Sequence, residues 1–140
     1  LPISLEEAWA FFSNPKNLEV ITPPWLQFRI LELDTEEMYT GQLITYRIRL
    51  APMVWVPWIT EIKNVKDREQ FTDEQRVGPY GFWHHTHGFE ANDEGVKITD
   101  LVRYHVGWGP IGSIAEAIYV NKSVSSIFDY RRQILAERFG

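Results

Sequence analysis

Two histidines at alternate positions, His85 and His87 in the run WHHTHGF, are the residues of this chain best suited to chemistry. An imidazole changes charge near neutral pH, so it can move protons, anchor a charged group or bind a metal, depending on what faces it. Alternate residues of a strand share a face, which groups Trp83, His85, His87 and Phe89 against Phe82, His84, Thr86 and Gly88. A face of two aromatics and two imidazoles is too apolar for water and too polar for plain core. It predicts the wall of a pocket.

A turn at Asp93-Glu94 opposes Glu90 to Lys97 outside, and Phe89 to Ile98, His87 to Asp100, His85 to Val102 and Trp83 to Tyr104 inside. A slip of one residue would put Ile98 and Val102 in water. His87 and Asp100 are then the sharpest candidate pair, with Asp73 extending it and His85 beside it. A carboxylate fixes the tautomer of an imidazole and raises its pKa, as a general base or a charged ligand anchor needs. The same groups also read as a buried polar network that sets strand register, which is the plainer reading. Two His and two Asp could hold zinc, but their spacing shows no convergence, so no metal and no cofactor are expected. Ser123, Ser125 and Ser126 lack a nucleophile motif, and Gly107-Trp108-Gly109 lacks the spacing of a phosphate loop. Arg47, Arg49, Arg103 and Arg131 read as sheet-surface and helix-end charges rather than anion clamps.

The elements that must position these groups follow from pattern and punctuation. Leu1 to Ile3 reads as the tail of a strand, and Ser4 with Glu7 forms a capping box for a helix over Leu5 to Phe12. Asn14-Pro15 restarts a short helix to about Val20, which Pro23-Pro24 ends. Trp25 to Leu33 is predicted as a strand, and Gly41 to Leu50 as another, with Ile44, Tyr46, Ile48 and Leu50 facing in. Ala51 to Pro57, with two prolines around Met53, Val54, Trp55 and Val56, reads as a lid loop that gates the pocket opposite Tyr80. Trp58 to Val65 and Glu69 to Val77 form a hairpin across Lys66-Asp67 that opposes Ile62 to Phe71, Thr60 to Asp73 and Trp58 to Gln75. Gly78-Pro79-Tyr80-Gly81 is a turn into the histidine strand. A closing helix runs from Pro110 to about Phe139, and small residues in its middle, among them Asn121, leave room behind it.

The 140 residues fit one domain, 1–140, with no repeat or linker. Six tryptophans exceed what a core of this size requires and suit a lined cavity. A net charge of -5 argues against a nucleic-acid partner. No apolar run approaches the ~20 residues of a membrane span, so stable membrane insertion is not expected. The absence of cysteine excludes disulfides and thiolate chemistry and makes the cytoplasm the expected compartment. The chain opens on Leu1, and its first strand reads as truncated.

The order strand, two short helices, six strands and one long terminal helix resembles the START-like, or SRPBCC, superfamily. The patterns FxDxQ at Phe71, Asp73 and Gln75, GPY at Gly78 to Tyr80, WxHxHxF at Trp83 to Phe89, DxxxY at Asp100 to Tyr104, and IFDYR at Ile127 to Arg131 resemble its bacterial ligand-binding and polyketide cyclase-like members. The resemblance implies an α+β helix-grip fold, a curved antiparallel sheet wrapped around the C-terminal helix, with a hydrophobic cavity between them. The expected function is binding or transport of an apolar or aromatic small molecule such as a lipid or polyketide. The expected contacts are Trp58, Gln75, Tyr80, Trp83, His85, His87, Tyr104, Asn121 and Phe128. Two alternatives stay open. One is a cyclase or dehydratase using His87, Asp100, His85 and Asp73 as acid-base groups, since the superfamily hosts several functions. The other is a protein-interaction module, for which Met53 to Pro57 would supply the apolar patch.

Overall fold

The Ser4 hydroxyl accepts a hydrogen bond from the Glu7 backbone at 3.1 Å, and the Glu7 carboxylate accepts the Ser4 N–H at 3.0 Å. This capping box starts α1 (Leu5–Phe12), which buries Ala8, Phe11 and Phe12. The Asn14 side chain caps a 3-10 turn at Pro15–Asn17, which leads into α2 (Leu18–Ile21). The computed structural model of the protein describes residues 1–105 and 113–140, and the side chains of all of these except residues 50, 51 and 113–122.

Six strands follow: β1 (Arg29–Glu32), β2 (Leu43–Ala51), β3 (Val54–Lys66), β4 (Gln70–Val77), β5 (Phe82–Asn92) and β6 (Gly95–His105). They form one open antiparallel sheet in sequential order, and α3 (Ser113–Phe139) closes the chain, so the architecture is α+β. One apolar cluster joins α1, β4, β5, β6 and α3 through Phe11, Phe12, Phe71, Phe89, Val96 and Leu135. A second lies on β2 and β3, where Ile44, Tyr46, Ile48, Trp58 and Ile62 alternate inward. Each buried side chain of this size contributes about 1.5–3 kcal/mol. Together the two clusters anchor the ends of the functional site.

β5 and β6 pair His87 with Asp100, His85 with Val102 and Trp83 with Tyr104, the register expected from the turn at Asp93-Glu94. The β3–β4 register differs from expectation by two residues: Ile62 opposes Asp73 and Thr60 opposes Gln75. The three-residue loop Asp67 to Glu69, with Arg68 at φ 59°, displaces the pairing of Lys66 with Gln70 by three, and a bulge beside Asn64 at φ 52° takes one residue back. An even shift preserves the faces, so Ile62 and Asp73 still point the same way.

Two further expectations are corrected. Trp25 belongs to a 3-10 turn (Pro24–Leu26), and Gln27 at φ 44° reverses the chain before β1 begins at Arg29. Ala51 to Pro57 is not a lid loop, because β2 ends at Ala51, Met53 at φ 63° makes a tight turn, and β3 begins at Val54. Pro57 is tolerated opposite Arg47 because pairing of β3 with β4 starts only at Ile59, which leaves that side of β3 without a ladder to break. Met53 is 95% exposed at the hairpin tip. The N-terminus forms no strand, yet Leu1 exchanges two hydrogen bonds with Val96, its ammonium donating at 2.8 Å and its carbonyl accepting at 2.9 Å. Gly107 to Pro110 lie outside the described residues. No described helix is long and apolar enough to cross a membrane.

Candidate functional site

Strand alternation on β5 directs His85 and His87 inward, and both are buried. Their neighbours on the flanking strands, Asp73 on β4 and Asp100 on β6, meet them from either side. The pairing is diagonal. His87 Nε2 lies 2.6 Å from Asp73 Oδ2, while His85 Nε2 lies 2.8 Å from Asp100 Oδ1. The expected direct hydrogen bond of His87 with Asp100 is replaced by a longer contact of 3.4 Å from Nδ1, and His85 Nδ1 stands 3.3 Å from Asp73. Opposed residues on a pleated sheet sit close enough for diagonal partners to be reached as well. Packing of the two rings at a 3.7 Å centroid separation tilts each toward the far carboxylate.

Trp83 donates its indole N–H to Asp73 at 3.1 Å, and Phe71 stacks on His87 at 4.2 Å. From α3, Phe128 meets the edge of His85 at 5.5 Å, and an Arg131 terminal nitrogen lies 3.6 Å from Asp100. Burial alone would raise Asp73 and Asp100, but the imidazoles around them, with Arg131 beside Asp100, hold both below the usual carboxylate range. Burial and the neighbouring His87 lower His85. Burial opposes the charge on His87 too, yet the Asp100 and Asp73 carboxylates at its two ring nitrogens raise it. The two rings, tilted by 31° at 3.7 Å, thus have their pKa values displaced in opposite directions.

This cluster forms part of the wall of a cavity of about 620 Å³. β2 and β3 supply Ile44, Tyr46, Ile48, Trp58, Thr60 and Ile62; the N-terminal helices supply Phe11, Phe12, Leu18 and Ile21; α3 supplies Val124, Ile127, Phe128 and Arg131. Tyr46 and Thr60 satisfy each other's hydroxyls at 3.0 Å, and burial pushes the Tyr46 phenol well above its ordinary value. Tyr80 caps one end against Trp58 and Trp83, and burial raises its phenol to about 12. The indole N–H of Trp58 has no hydrogen-bond partner among the described residues.

Of the expected ligand contacts, Trp58, Tyr80, Trp83, His85, His87 and Phe128 line this space. Gln75 does not, because its side-chain amide clamps the turn, donating to the Tyr80 carbonyl at 2.6 Å and accepting the Tyr80 N–H at 3.0 Å. Tyr104 packs behind the wall against Trp83 and Tyr80 at 6.0 Å from each. The Asn121 side chain lies outside the described residues. Trp55 faces outward under Arg47 at 4.6 Å. Arg49 reaches the cavity, where a bulge between Arg49 and Ala51 turns the end of β2.

Arg131 was expected at a helix end on the surface and is instead 7% exposed. The signal was present in the spacing. Val124, Phe128 and Leu135 lie seven and three residues before it and four after it, all on one helical face. The spacing of the two His and two Asp showed no convergence, yet Asp73, His85 and His87 each offer one potential metal-ligand atom within 4.8 Å of one another. Two ligands on a tetrahedral zinc with bonds near 2.0–2.1 Å stand about 3.3 Å apart. The 2.6 Å contact between His87 and Asp73 is a hydrogen-bond distance, so an ion would have to open it.

No protein-family model matches the chain, and no curated protein matches it. Its fold is similar to that of protein CV1439 from Chromobacterium violaceum, with a TM-score of 0.67 at 15% identity, over 98% of this chain and 90% of that one. It is also similar to TTHA0849 from Thermus thermophilus, with a TM-score of 0.62 at 16% identity, over 100% and 94% of the two chains.

Proposed function

We propose that this chain is a START-like, helix-grip protein that binds an apolar or aromatic small molecule between its sheet and α3. The observation that carries the proposal is the cavity of about 620 Å³, within the range of small-molecule sites, walled by aromatics and aliphatics with a few convergent polar groups. Apolar walls supply affinity, and the His–Asp cluster supplies orientation. An uncharged naphthalene dye is expected to bind one per chain with a rise in emission. Trp83→Ala, which removes a wall of the cavity, is expected to weaken it about 10-fold, the worth of roughly 1.4 kcal/mol of lost contact. A dye that fails to bind, or binds Trp83→Ala equally well, would count against the cavity as the site.

A second reading, proton-transfer catalysis of the cyclase or dehydratase kind, is favoured by the opposite displacement of the two imidazole pKa values at a cavity wall. Burial and His87 disfavour a proton on His85, while the flanking carboxylates favour one on His87. His87→Gln separates the readings. It should abolish turnover of a compound that the variant still binds if the imidazole transfers a proton, and change affinity alone, with no turnover in wild type, if it only orients the ligand.

A further inference from the structure

Arg131 is a cavity group whose surroundings do not account for it. Its side chain is nine-tenths buried, its Nε is buried without a hydrogen-bond partner, and no hydrogen bond joins it to a described residue. Its only ion pair among the described residues is the loose 3.6 Å contact with Asp100, and the rings of Phe12 at 5.4 Å and Phe128 at 5.8 Å flank it. Leaving a buried guanidinium donor unpaired costs more than leaving a neutral one so. A planar fork of donors between apolar rings at a cavity wall matches a carboxylate in shape and charge.

Charge bookkeeping across the cluster points the same way. Three basic groups, His85, His87 and Arg131, face two carboxylates, Asp73 and Asp100. Every imidazole nitrogen has a carboxylate oxygen within 3.4 Å, so either ring can take a second proton without moving. Stacking of the rings at 3.7 Å disfavours two imidazoliums while only two anions are present. A third anion would remove that penalty. Tyr46, the titratable group that β2 brings near Asp73, stays neutral.

We infer that the cavity's ligand is an apolar molecule bearing a carboxylate, which Arg131 binds, and that the carboxylate draws a proton onto the His85–His87 pair as it enters. This rests on the reading of the cavity as a ligand site, and it adds the charged group of the ligand and a coupled proton. Binding of such an acid should therefore tighten as pH falls from 8 to 6, by up to about tenfold per pH unit for one proton taken up. The acid itself stays ionised over that range, as simple carboxyls titrate near 4.

The test uses three compounds of one skeleton, 2-naphthoate, 2-acetylnaphthalene and 2-ethylnaphthalene, titrated at pH 6 and 8 by calorimetry in two buffers of different ionisation heat. The expected order at pH 6 is naphthoate tightest, with proton uptake seen only for naphthoate. Arg131→Met should lower the ratio of naphthoate to ethylnaphthalene affinity about 10- to 100-fold, and Arg131→Lys should restore part of it. The wild-type comparison stands even if Arg131→Met does not fold. Three compounds that bind alike, or a ketone that binds more tightly than the acid, would overturn the carboxylate inference and leave the cavity reading intact. Failure of all three to bind would overturn both.

Discussion

Asp73→Ala is expected to lower stability by about 3–5 kcal/mol, the cost of removing one partner from a buried charged network. Asp73 accepts from His87 and Trp83, stands 3.3 Å from His85, and keeps only 19% of its side-chain surface open, on the cavity it lines. Its loss leaves the His87 imidazole and the Trp83 indole N–H without their shared acceptor. Asp73→Asn keeps the shape and one acceptor and should cost roughly half as much. Urea unfolding at pH 7 reads both, and a loss below about 1 kcal/mol for the alanine variant would show that the network is not held by this carboxylate.

The pH profile adds a sign to that expectation. His87 is raised above 6.5, so its contribution is fully present below 6.5 and is lost as pH climbs through the raised value. His85 is lowered below 6.5, so the fold resists its proton and loses stability as pH drops beneath 6.5. Asp73 and Asp100 are lowered below 3.8, and what they contribute is present above 3.8 and disappears as pH falls through their folded values. The histidine contributions therefore place the wild-type maximum near pH 6.5. Asp73→Ala should flatten the alkaline limb, because it removes one of the two carboxylates that hold His87 up.

Phe71→Ala carries the second large effect, about 3–5 kcal/mol. Phe71 is 3% exposed, stacks on His87 at 4.2 Å and meets Phe89 at 6.0 Å and Trp9 at 6.1 Å, so it joins the apolar cluster under α1 to the polar cluster in the cavity. Deleting its ring enlarges a space that already lines the cavity, and rigid strands on both sides prevent collapse. Phe71→Leu should recover about half of the loss. Equal stability of the alanine variant and wild type would mean that β4 and α1 are joined by other contacts.

How much of this could be read from the residues depended on where the chain used ordinary turn chemistry. The β5–β6 register was legible because a two-residue connection with Gly95 at its end has little freedom, and at φ 138° only glycine sits there comfortably. The β3–β4 register was not, because Arg68 takes a left-handed conformation that its residue type does not announce, and Asn64, a type that does tolerate one, sits inside an otherwise regular strand pattern. Prolines at 52 and 57 suggested a loop, but the lack of a β4 partner at that height, which only the assembled sheet reveals, lets Pro57 stay in a strand.

At the site, alternation on β5 brought His85 and His87 to one face, and strand order brought Asp73 and Asp100 to them. Which carboxylate each ring chooses is decided by ring stacking and a diagonal reach, neither of which pairing rules express. Gln75 illustrates a different limit, because a side chain on the inward-facing set is withdrawn from the cavity by two backbone groups of its own turn. Arg131 was hidden by habit rather than by physics: charged residues are mostly exposed, but its spacing from Phe128 and Leu135 already set it on the buried face.

The claim that the cavity is the ligand site is tested most directly by isotope-edited NMR on protein labelled at isoleucine, valine and methionine methyls, with an uncharged naphthalene probe added to saturation. Ile44, Ile48 and Ile62 line the cavity from β2 and β3, so intermolecular NOEs from the probe to these methyls, saturating at one probe per chain, are the predicted result. NOEs confined to the exposed hairpin tip around Met53 and Val54, or no methyl perturbation at saturation, would contradict it.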